Sequence, residues 1–115
     1  MTNTSILDNI KKMLGLTAEY TEFDDDIIVH INSVLANLSQ MGVSSSDELF
    51  QITDNSATWE DFINGDSDIL PSVKTYIYLK VKLLFDPPAN SVLVDAINNQ
   101  IKEHEYRLYT QKGGY

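Results

Sequence analysis

The sequence predicts an all-α fold: a small bundle of four principal helices plus a short helix, with a long acidic loop between the second and third principal helices. Three observations point there. Apolar residues recur at steps of three and four over most of the chain, the spacing that gathers side chains on one face of an α-helix. A Ser or Thr with an acid three residues on, the pattern of a helix start, occurs at Ser5/Asp8, Thr21/Asp24 and Thr58/Asp61. Helix stops follow the periodic stretches, with Gly15, Gly42, Gly65 and the pair Pro87 and Pro88.

The first helix runs from about Ser5 to Leu14, with Ile6, Leu7, Ile10, Met13 and Leu14 on its apolar side. Gly15 can take the left-handed position after the helix, and Leu16 then packs back on the last turn. Thr17 to Tyr20 forms a connector. The second helix spans Asp24 to Met41, with Thr21 as its cap and Ile27, Ile31, Val34, Leu38 and Met41 as its stripe, thickened by Ile28 and Leu35. Asp24, Asp25 and Asp26 fall in its first turn, where the helix macrodipole favours carboxylates. A calcium loop is excluded there, because Ile27, Ile28 and Val29 follow with neither a loop glycine nor a distal glutamate.

Val43 to Gly65 reads as a surface loop, with either a helical turn at Asp47 to Phe50 or a short extended segment at Leu49 to Thr53. Trp59 to Ile63 is a helix of one or two turns. Trp59 and Phe62, three apart, share a face that either plugs the bottom of the core or anchors an interface.

The third principal helix, about Asp68 to Phe85, organises the rest. Val73, Tyr76, Ile77, Val81 and Leu84 form one stripe, and Tyr78, Leu79, Leu83 and Phe85 widen it until Lys74, Thr75 and Lys82 remain as a polar edge. Lys80 lies angularly between Val73, Ile77 and Leu84, where a lone ammonium is costly unless it snorkels or meets a carboxylate. The sequence therefore predicts that Lys80 pairs with a carboxylate of the Asp24 to Asp68 stretch, from its own or a neighbouring copy. Asn90 or Ser91 caps the last helix, which runs to about Tyr109 with Val94, Ile97, Ile101, His104 and Leu108 as a narrow seam. His104 reads as a satisfied, half-buried histidine, and His30 lies on the polar side of its helix. From about Tyr109 the tail, with Lys112 and Tyr115, reads as flexible and able to fold on a partner.

Residues 1–115 suit one domain. No apolar run approaches a membrane span, the N-terminus lacks the regions of a signal peptide, and the absence of cysteine excludes disulfides, thiolate metal sites and cysteine nucleophiles. Charge is distributed in blocks within a net of -9: no Lys or Arg lies between Lys12 and Lys74, while twelve acids do. Such a block is repelled by phosphates and attracted to basic surfaces. It is either a solvated face or one of two complementary faces that meet between copies. No phosphate loop, nucleophile elbow or metal-ligand spacing is present, so the chain reads as non-enzymatic and without a cofactor or metal.

The run VKTYIYLKVKLLFDPP followed by SVLVDAIN, with FDDDI and TWEDFI before it, resembles the head-tail connector (adaptor or head-completion) proteins of tailed bacteriophages, over most of Ile6 to Leu108. The resemblance implies a virion protein, made in the host cytoplasm, that forms a homo-oligomeric ring of about twelve copies on the portal and can be monomeric in isolation. It implies portal protein on one side, a stopper or tail-completion protein on the other, and DNA passing through without specific binding. The expected contact residues are Lys74, Lys80 and Lys82, the pair Trp59 and Phe62, and Tyr106, Tyr109, Lys112 and Tyr115. The competing reading is a small acidic regulatory protein that occupies a basic partner surface as a DNA mimic does.

Overall fold

The computed structural model describes residues 4–41, 43, 50–63 and 67–111. Helix α1 (Ile6–Met13), α2 (Asp24–Gln40), the short α3 (Trp59–Ile63), α4 (Leu70–Phe85) and α5 (Ser91–Gln111) follow in order, with a 3-10 turn at Ser67–Ile69 leading into α4. Helix α4 packs against α1, α2 and α5 and is the centre of the bundle.

Local chemistry sets most helix ends. The Ser5 hydroxyl accepts from the Asp8 N–H at 3.2 Å. Helix α1 closes with Gly15 at φ 89°, its N–H on the Lys12 carbonyl and the Leu16 N–H on the Lys11 carbonyl, which satisfies carbonyls that a helix end leaves open. Thr58 and Asp61 bond reciprocally, side chain to backbone N–H, at 2.9 and 3.3 Å, and fix the start of α3. Asn90 caps α5 by accepting from the Val92 N–H at 2.7 Å. Pro71 stands in the first turn of α4, where a missing N–H costs nothing, and Asp86 ends the helix before Pro87.

The start of α2 differs from the expectation. Phe23, not Thr21, is the cap residue, and no side chain bonds the first turn. Thr21 stands two positions before the cap residue, in a turn that its carbonyl closes with the Asp24 N–H. Three carboxylates in the first turn serve the open N–H groups electrostatically instead. Helix α5 also continues past Tyr109 to Gln111, so the expected flexible segment is helical as far as the described residues reach; Lys112 and Tyr115 lie outside them.

The buried core joins Ile6, Leu7 and Ile10 of α1, the α2 stripe from Ile27 to Leu38, and Val73, Tyr76, Ile77 and Val81 of α4. Ile101 and Leu108 of α5 close one side. Leu84, placed in the α4 stripe by spacing, is 54% exposed and borders an open recess between α2, α4 and α5. The segment before α3 is tied to the N-terminus: the Ile6 N–H donates to the Ala57 carbonyl at 3.0 Å and the Trp59 N–H to Thr4 at 3.1 Å, around a Ser5/Thr58 bridge. Asn32 holds the loop from the other side, donating to the Ile52 carbonyl and accepting from its N–H at 2.9 and 2.8 Å. Of the expected helical turn at Asp47 to Phe50 only Phe50 is among the described residues, and Gly42 and Gly65 lie outside them; of the alternative extended segment at Leu49 to Thr53, residues 50–53 are described and form no strand.

Candidate interaction surfaces

The buried ammonium of this fold belongs to Lys11. It is 1% exposed, and its Nζ meets Asp24 Oδ1 at 2.8 Å and the Ala18 carbonyl at 3.1 Å. The pair clasps α1 to the start of α2. Lys11 shares the face of Leu7 and Leu14 at i, i+4, i+7 spacing, so its burial was legible by the argument applied to Lys80. Asp24, read as a dipole residue only, is also an ion-pair partner.

Lys80 is half-buried and has no carboxylate partner among the described residues; its ammonium stands 5.7 Å from the centre of the Tyr76 ring. It lines a recess of about 300 Å³ between α2, α4 and α5, together with Ser33, Asn37 and Asn98 and the apolar Val34, Leu83, Leu84 and Ile101. Lys74 lies elsewhere, 5.6 Å from the Trp59 ring centre and beside a larger cleft that Asp8, Asn9 and Lys12 of α1 also line. Lys82 bonds Asp86 at 2.9 Å, one helical turn on. The three lysines therefore do not form one stripe.

Trp59 and Phe62 are buried, at 0% and 1% exposure, which is the core-plug alternative. The indole N–H donates to Asn9 Oδ1 at 3.0 Å and the Phe50 ring packs at a tilt against Phe62, so this pair holds α3 under the bundle and offers no surface.

Apart from Val29 on α2, the exposed large apolar residues among those described gather at the two ends of the bundle. At one end Tyr20, Phe23 and Phe85 form a chain of edge-on rings with centroids 5.7 and 5.4 Å apart, and Leu84, Val92 and Leu93 are exposed on the adjoining α4–α5 turn. At the other end Tyr106 and Tyr109 border a cleft with Met41 and Glu105. Exposed apolar groups that cluster in this way mark contact surfaces more often than scattered ones. Tyr20, Phe23, Val92 and Leu93 belong to no apolar stripe, so helical spacing does not reveal the first of these ends.

The electrostatics separate the two sides of α1. A cleft on the α2 side is lined by Asp24, Asp25 and Asp54, and the one on the α4 side by Lys12 and Lys74 with Asp8. Hydrogen bonds from the Ser56 hydroxyl and N–H hold Asp54 below the usual carboxylate range. Deeper in, the Tyr76 hydroxyl donates to Glu105 at 2.8 Å and joins α4 to α5. Burial raises its pKa first, and the Glu105 hydrogen bond and charge raise it further. His104 is half-buried in the seam, but its Nδ1 has no hydrogen-bond partner among the described residues, so the expected satisfied histidine is not found there. Among the described residues no cluster of three or more His, Asp or Glu side chains could hold a metal ion, and no helix is long and apolar enough to cross a membrane.

In comparison with known proteins, the model of the phage connector protein family matches residues 6–115, which span all of α1 to α5. No curated protein and no solved structure matches the chain.

Proposed function

The chain belongs to the phage connector protein family and so has a structural connector role; on that premise we propose that it is an adaptor, a ring of about twelve copies under the portal that extends the DNA exit channel and receives the stopper or tail-completion protein. The observation that carries the reading is the extent of the family match, which leaves out none of the helices that form the core. Physical features support it. A ring needs a head-to-tail contact between two different faces, and the two sides of α1 differ in charge. An adaptor also needs surfaces for two unlike neighbours. The Tyr106 and Tyr109 end, continued by Lys112 and Tyr115, suits the portal, and the Phe23, Leu84 and Val92 end suits the stopper. Acidic side chains left facing the axis would repel phosphates and let DNA slide. The protein would wait in the host cytoplasm and end in the virion.

The test is to mix the purified chain with portal particles from the same phage and determine the particle mass and its end-on symmetry. A ring stacked on the portal is the expected result. A chain that stays monomeric beside the portal, and instead binds a basic nucleic-acid-binding protein in competition with DNA, would establish the mimic reading in its place.

A further inference from the structure

Among the described residues two lysines of the buried or half-buried part of the bundle meet a carboxylate, Lys11 on Asp24 and Lys82 on Asp86, while Lys74 and Lys80 have only a ring beside them, Trp59 and Tyr76. The recess at Lys80 differs from the cleft at Lys74, which Asp8 also lines. An ammonium, two amides and a hydroxyl, from Lys80, Asn37, Asn98 and Ser33, line one concave space with apolar walls and no acid. Among the described residues none of these four side chains has a hydrogen-bond partner. A half-buried cation with no counter-charge gains from a carboxylate brought to it, and the amides and hydroxyl beside it can donate to the same anion.

We propose that this recess takes a carboxylate from a second copy of the chain, namely the first turn of that copy's α2 at Asp25 and Asp26. This deepens the ring reading and rests on it. The choice of occupant follows from charge and reach. Asp25 and Asp26 are exposed on a rigid helix start and have no cationic partner among the described residues, whereas Asp24 beside them is committed to Lys11. Within one chain Asp26 stands seven residues, roughly 10 Å along α2, before Ser33, and cannot bend into the recess. In a second copy it can. Such a contact joins two different surfaces, the α2–α4–α5 face of one subunit and the α2 start of the next, which is the heterologous geometry that closes into a ring. It also answers the net charge of -9, since copies that repel at long range need a specific cation site at the contact.

Charge reversal tests the pairing. Three variants are needed: Lys80→Glu; a chain with both Asp25→Lys and Asp26→Lys; and a chain with all three changes. Each is scored by the concentration at which half the portal particles carry a ring, and by its own thermal melting. Either reversal alone should raise that concentration by about tenfold or more, because like charges then face each other across the contact, and the triple variant should recover most of the loss. Lys80→Met should weaken assembly with its melting unchanged. If the triple variant fails to recover, or if Lys80→Glu assembles as wild type does, the proposed contact is wrong while the ring itself stands. If Lys80→Met melts several degrees lower, the recess is filled by an acid of its own chain and the proposal falls. Saturable binding of inorganic phosphate that Lys80→Met abolishes would also overturn it, in favour of a free-anion site. A wild-type chain that forms no ring on portal particles removes the ring reading and this inference together.

Discussion

Replacing Asp24 by Ala should damage the fold far more than replacing Lys11 by Met, although both changes break the same ion pair. The Lys11 ammonium is almost wholly enclosed, and after Asp24→Ala it would retain only the Ala18 carbonyl at 3.1 Å. Stranding a fully buried charge costs about 3–5 kcal/mol. Here the Asp24 side chain keeps 23% of its surface in water, so the pair is only partly desolvated and solvent can enter the space it leaves. About 2 kcal/mol is the appropriate figure, or roughly 8 °C in melting temperature for a domain of this size. Lys11→Met keeps the aliphatic stem in the core. It leaves Asp24 partly hydrated in the first turn of α2, where the macrodipole supports it, so the loss should stay below about 1 kcal/mol. The double variant should melt close to Lys11→Met alone, because Asp24 has little left to stabilise once the ammonium is gone. Urea titration followed by circular dichroism measures all four species. Equal losses for the two single variants, or a double variant whose loss is their sum, would refute the clasp.

Tyr76→Phe should cost about 1–2 kcal/mol at neutral pH by removing a hydrogen bond to a charged acceptor. Because the Tyr76 pKa is raised in the folded state, this hydroxyl's contribution is whole below pH 10 and is lost as pH rises above it, so the gap between wild type and Tyr76→Phe should close in alkaline melts. Asn32→Ala should cost about 2–3 kcal/mol, since it leaves the N–H and carbonyl of the buried Ile52 unpaired; faster amide exchange at Ile52 than in α4 would be the local sign. Deleting Lys112 to Tyr115 leaves every described core residue in place and should leave melting unchanged while weakening co-sedimentation with portal particles. A truncated chain that docks at full strength would move the portal contact elsewhere.

The sequence by itself determined the helices and most of their ends. Ser5, Gly15, the Thr58 and Asp61 pair, Asn90 and Pro87 act on backbone groups within a few residues of themselves, so spacing and residue type suffice to read them. The seam of Ile101 and Leu108 was legible for the same reason, since a helix face is a property of one helix. Tertiary structure decided which charge the core would enclose. Lys11 and Lys80 both stand among apolar neighbours on their own helices, and only the arrival of the α2 start beside α1 gives one of them a carboxylate. It also decided where faces end: Leu84 keeps the stripe's spacing and is exposed, because α2 and α5 leave an open recess beside it. Trp59 and Phe62 carried the spacing of an anchor and of a plug alike, and it took the Ser5/Thr58 bridge and the Asn9 bond to the indole to place them inside. Periodicity records what a helix can bury. What it does bury depends on partners far away in sequence, whose approach no local pattern encodes.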